Sequence, residues 1–181
     1  MKFSDKISVF LTSHVTWYHI WPGVVLIFVI NIIIFPYIYL NYLQRKQPLD
    51  LFFGFSPGYV REILSAYSPA QLRIYRRAAL WIDTPYALIY GLTYTLIFIK
   101  LNRFTGGLRH LVWLPLFIMF FDWIENAGIV YFTKVYPHID ESRFFVFSLA
   151  NRLKWTMALL SLIWFAVLLI HRFGLNRKSI L

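Results

Sequence analysis

The chain has 181 residues, 59% of them hydrophobic and 20% aromatic, with 14% charged and no cysteine. Soluble domains carry about 25% charged residues, so with a mean hydropathy of +0.60 an ordinary soluble globule is excluded, and so are disulfides, thiolate metal sites and cysteine nucleophiles. The net charge of +10 lies mostly in short segments beside apolar runs, where basic residues meet lipid headgroups; no basic domain stands apart, which argues against nucleic-acid binding.

Residues 1–19 carry Lys2 and Lys6 before the short apolar run ISVFL, too short for the core of a signal peptide and followed by no cleavage pattern. An interfacial helix is expected there, with Trp17, Tyr18 and Trp21 at headgroup level. A first span is expected over residues 20–40, acting as an uncleaved anchor, polar inside only at Asn31 and bent near Pro36. The long connection 41–77 is not plain linker. LFFGF (residues 51–55) is aromatic and glycine-broken, suited to dip into the interface or fold on the bundle. Ser56-Pro57 can start a short helix bearing Val60, Ile63 and Leu64 on one side. Ser68-Pro69-Ala70-Gln71 predicts a capping box, and Arg73, Arg76 and Arg77 precede a second span over residues 78–99. A Gly106-Gly107 turn leads to a third span over 111–133, and a less regular fourth is expected over 144–170, interrupted by Asn151, Arg152 and Lys154. About 20 apolar residues suffice to cross a bilayer, so the reading is an all-α, integral membrane bundle of four transmembrane helices in one domain, 1–181. Interfacial amphipathic helices are expected before spans one and two. Basic residues are shared evenly between the two sides; the longer connection weighs less, which tilts the termini toward the cytoplasm.

The polar residues inside these spans carry the functional reading. The third span reads LVWLPLFIMFFDWIENAGIVYFT, with Asp122, Glu125 and Asn126 on one helical face. A charge at that depth costs at least roughly 2.5 to 3.5 kcal/mol, so these carboxyls should face protein. In the second span Asp83 shares a face with Tyr86, Tyr90 and Tyr94. In the fourth, Asn151 aligns with Lys154 and Trp155. At about 1.5 Å per residue these groups fall in one depth band, which predicts a polar chamber between spans two, three and four, open toward the 41–77 loop. A structural ion pair, Lys154 neutralising Asp83, Asp122 or Glu125, is the plain alternative. Arg152 lies off that face and is expected to reach back to the interface. The five histidines, His14, His19, His110, His138 and His171, lie at span ends or in loops and no Glu-x-x-His pair exists, so no carboxylate–histidine di-metal site is expected. A purely carboxylate metal site at Asp122 and Glu125 is a minor alternative, and with no phosphate loop or dinucleotide fingerprint no cofactor is expected.

Tyr67, Ser68, Pro69, Asp83, Pro85, Asp122, Glu125, Asn126 and Lys154, spread over residues 67–169, form a pattern that resembles a group of small, uncharacterised bacterial four-span membrane proteins. That resemblance implies the bundle, a bacterial inner membrane and the polar set, but no activity. The leading expectation is a pocket for a lipid-like or isoprenoid-like molecule. In it Asp122 or Glu125 would act as proton donor or acceptor, and Lys154 would set the charge state or hold an anionic headgroup. Asp83, Tyr86, Tyr90, Asn126, Asn151 and Trp155 would line it. A proton- or ion-coupled transporter, oligomeric because four spans are few for a permeation path, is the second expectation. A non-catalytic assembly factor whose buried charges only specify packing is the third.

Overall fold

The computed structural model describes residues 14–102 and 106–174. The expected interfacial helix of residues 1–19 lies almost wholly outside the described residues. Four helices are long and apolar enough to cross a membrane: α1 (Trp17–Asn41), α3 (Pro69–Leu101), α4 (His110–Val135) and α5 (Phe144–Phe173). Between the first two lies the short amphipathic helix α2 (Pro57–Ser65). No strand forms among the described residues. The chain is an all-α integral membrane bundle. Its outward faces fit lipid rather than water, with Trp81 73% and Leu162 65% exposed among many other large apolar side chains.

Local chemistry explains where the helices begin. Ser56 caps α2, its hydroxyl accepting the Tyr59 N–H at 3.2 Å, and Val60 and Leu64 become fully buried. Ser68 caps α3 reciprocally: its hydroxyl accepts the Gln71 N–H at 3.3 Å, while the Gln71 side chain accepts the Ser68 N–H at 3.0 Å. Gln71 also accepts from Lys46 Nζ at 2.7 Å, so one cap ties the long connection to the second span. Losing such a cap costs about 0.5 to 2 kcal/mol. Ser68→Ala should therefore lower stability by about 1 kcal/mol, seen as a small drop in the unfolding midpoint, with no change at the polar centre.

Two differences from the sequence reading have physical causes. The capped helix at Ser68 is not a separate element before span two but its first turns, which run through a wide π-turn, Ala79–Asp83, into Thr84–Leu101. The basic residues Arg73, Arg76 and Arg77 hide that continuity from hydropathy, while the helix itself continues. The fourth span is also unbroken from Phe144, because Asn151 and Lys154 find partners inside the bundle. Gly106, expected in a turn, instead opens a 3₁₀ winding that runs to Trp113.

α1 packs on α3, α3 on α4 and α4 on α5, whereas α1 and α5 barely touch. At the end nearer the long connection, Leu43, Leu49, Phe55, Leu64, Tyr75 and Phe132 belong to one apolar cluster. At the other end Ile20, Phe98, Trp164 and Leu168 belong to a second. The polar residues of α3, α4 and α5 lie between the two.

Candidate functional site

Lys154 on α5 reaches two carboxylates of α4. Its Nζ is 3.1 Å from Asp122 Oδ1 and also pairs with Glu125 Oε2. Asn151, one turn earlier on α5, donates from Nδ2 to Glu125 Oε1 at 2.6 Å. From α3 the Tyr90 hydroxyl donates to Asp122 Oδ2 at 2.9 Å. Glu125 and Asn151 are fully buried and Lys154 is 8% exposed. Three helices are thus joined through one buried ion triad.

The connection between α1 and α3 folds over this centre. The Gly54 N–H donates to Asn151 Oδ1, and the Phe55 N–H donates to Ser148 Oγ at 3.1 Å. The Tyr75 hydroxyl accepts the Leu49 N–H at 2.8 Å and donates to Asp50 Oδ1 at 3.2 Å. The Trp155 indole donates to the Asp50 carbonyl at 3.3 Å. The sequence suggests a chamber facing this connection; residues 49–55 seat on the first half of α5, and Pro48, Asp50 and Leu51 line the near end of the cavity. Gly54 makes the seat feasible. Its φ is +75°, a region that L side chains rarely adopt, and a Cβ there would collide with the Arg152 side chain. Nearby, the buried Tyr67 hydroxyl donates to the carbonyls of Lys46 and Gln47 at 3.1 and 3.0 Å. Burial, with the Asp50 charge as a lesser cause, pushes the Tyr67 phenol well above its ordinary range, so it remains a donor.

A cavity of about 1070 Å³ lies between α1 and α5, backed by α3. Its walls are apolar and aromatic over most of their length, including Phe35, Ile97, Ile118, Ala158 and Phe165. Its polar groups include Asn31, Asp50, Asp83, Asp122, Lys154 and the tyrosines Tyr86, Tyr90 and Tyr94, with Trp155 beside them and Ser161 about two turns further along α5. Asn31 Nδ2 donates to the Tyr86 hydroxyl at 2.6 Å, and the Tyr86 and Tyr90 rings meet edge-on at 5.2 Å. Lys154 Nζ lies 5.2 Å from the Trp155 ring centroid.

Two wide turns aim polar groups into this space. Asn31 stands in the π-turn Ile30–Ile34 and Asp83 in Ala79–Asp83. Pro36 and Pro85, which lack the N–H of a regular helix, follow each in turn. Such turns concentrate at functional sites. The second is locked by the Thr84 hydroxyl donating to the Ala79 carbonyl at 2.8 Å, and by the Trp123 indole donating to the Thr84 carbonyl at 2.9 Å.

The structure sorts the residues singled out in the sequence. Asp83, Tyr86, Tyr90, Asp122, Lys154 and Trp155 line the cavity. Glu125, Asn126 and Asn151 stand behind its surface: Glu125 and Asn151 hold the triad together, and the buried Asn126 amide lies beside the Asp83 carboxyl without a well-formed hydrogen bond. Asp50 and Tyr75 join the site from outside the expected spans, and Asn31, legible as the polar residue of span one, joins from a helix not expected to border the chamber. Among the described residues no cluster of three His, Cys, Asp or Glu side chains has an arrangement that could hold a metal ion.

Fold and centre together define an all-α, multi-pass membrane protein with a buried ion triad. No protein family, curated protein or solved structure matches the chain.

Proposed function

We propose that the cavity takes a lipid-like or isoprenoid-like amphiphile from the bilayer and holds its polar end at Asp83, Asp122 and Tyr90. One observation carries this reading. The cavity has amphiphile character, mostly apolar in its lining with its charged residues Asp50, Asp83, Asp122 and Lys154 gathered toward the end nearer the connection, and the two helices that flank it scarcely meet. Its volume is at the upper end of the roughly 300 to 1,000 Å³ typical of ligand sites. An entrance between α1 and α5 suits a molecule that arrives through lipid. Asp122, with the Tyr90 hydroxyl it holds, is the hydrogen-bonding pair that faces the ligand. Glu125, fully buried behind Lys154, sets the charge of that pair rather than touching the molecule.

Ala158→Trp tests the reading, since Ala158 is a half-buried cavity wall one turn beyond Lys154, and its side chain makes none of the triad's hydrogen bonds or ion pairs. Native mass spectrometry of the purified protein should show an amphiphile retained by the parent and lost from the variant, at an unchanged unfolding midpoint. Equal retention by both proteins would exclude the cavity as the binding site.

A further inference from the structure

The charge balance at the polar end of the cavity points to the headgroup. Lys154 is spent: two carboxylates enclose its ammonium, leaving it no capacity to neutralise an incoming anion. Asp83 and Asp50 also line the cavity, and among the described residues no lysine or arginine reaches either within ion-pair distance. The Asp50 carboxylate receives one hydrogen bond, from Tyr75, and is close enough to interact electrostatically with Asp83. The acids at this end, Asp50, Asp83, Asp122 and Glu125, thus face a single base.

An unpaired carboxyl in apolar surroundings is costly to ionise; an arriving ammonium favours its charged form, whereas a phosphate or carboxylate headgroup meets no free base there among the described residues. The aromatic lining favours the opposite sign. Tyr86 and Tyr90 meet edge-on above Asp83 on the same helix, and Phe35 packs edge-on against Tyr86 at 5.2 Å. Ring faces attract cations, most of all in desolvated sites.

Resting on the reading of the cavity as an amphiphile site, we propose that the headgroup it recognises is an ammonium group, placed between Asp83, Asp50 and the Tyr86–Tyr90 rings. The ammonium belongs either to a simple long-chain amine or to an ethanolamine phospholipid.

The test uses the full chain in mild detergent with two single-chain probes of equal length, a primary alkylamine and an alkyl phosphate, and reads binding by calorimetry. The amine is expected to bind at least about tenfold more tightly, a ratio equivalent to about 1.4 kcal/mol. Asp83→Asn should remove about that factor for the amine alone. Asp50→Asn, in the connecting segment, gives the same loss if Asp83→Asn does not fold. Equal or tighter binding of the phosphate, or amine binding indifferent to both exchanges, would overturn the ammonium assignment while leaving the amphiphile cavity standing. Binding of neither probe, or binding of both undiminished by Ala158→Trp, would overturn the cavity reading and the assignment with it. A lysophospholipid with an ethanolamine headgroup, compared with its glycerol counterpart, separates the two sources: preference for the lysolipid over the amine identifies the phospholipid.

Discussion

Lys154→Met is expected to lower the unfolding midpoint more than any other single exchange in the polar centre. The lysine answers Asp122 at 3.1 Å and Glu125 more closely still, and among the described residues no other cation reaches either carboxylate. Removing one partner of a buried pair costs about 3 to 5 kcal/mol, because the remaining charge stays buried without compensation. Glu125→Gln should also destabilise, since it strips the closest countercharge from Lys154. The double variant Lys154→Met/Glu125→Gln should recover part of the loss, because both ends of one pair are then neutral. Asp83→Asn should behave differently. Among the described residues Asp83 has no cationic partner within ion-pair distance, so the exchange breaks no ion pair, and residues kept for a task often cost stability. Thermal unfolding of the four variants beside the parent in mild detergent checks the set. A Lys154→Met midpoint close to the parent's, or an Asp83→Asn midpoint as low as that of Glu125→Gln, would contradict the division into structural triad and ligand-facing acid.

That division shows how far the sequence reaches. The four spans are legible because uninterrupted apolar runs of membrane length have few alternatives. The meeting of Asp122, Glu125, Asn151 and Lys154 is legible too, since charges at one depth in neighbouring spans must answer one another. Helix rotation is not. Asp122 and Glu125 lie within one turn, and nothing in their spacing tells which faces the cavity and which faces Asn151. The end of the site formed by Asp50, Tyr75 and Gly54 is hidden for another reason. Its geometry comes from a connection that folds back over about a hundred residues of sequence separation, a long-range pairing with no periodic signature. The wide turns at Asn31 and Asp83 are half legible: Pro36 and Pro85 announce an irregularity but not the direction in which it turns the side chains.

Gly54→Val is expected to unseat the connection from the bundle, with the second-largest effect on stability. Two independent costs meet at this residue. A β-branched side chain at φ +75° occupies a region such residues almost never adopt, at roughly 1 to 3 kcal/mol. Its Cβ would also run into Arg152, whose side chain lies across the glycine. The segment's grip is local: the Gly54 N–H donates to Asn151, and the Phe55 N–H donates to Ser148. Once those bonds fail, the Asn151 amide loses one partner while keeping Glu125, so the ion triad should survive the loss of its cover. Hydrogen–deuterium exchange should therefore show faster exchange across residues 49–55 with α4 and α5 still protected. Arg152→Ala in the Gly54→Val background should restore only the steric share. Full restoration would mean that the collision alone sets the glycine requirement and that the left-handed backbone costs little. Unchanged protection at residues 49–55 in Gly54→Val would mean that the connection is held by the apolar burial of Leu49 and Phe55, and not by its bonds to α5.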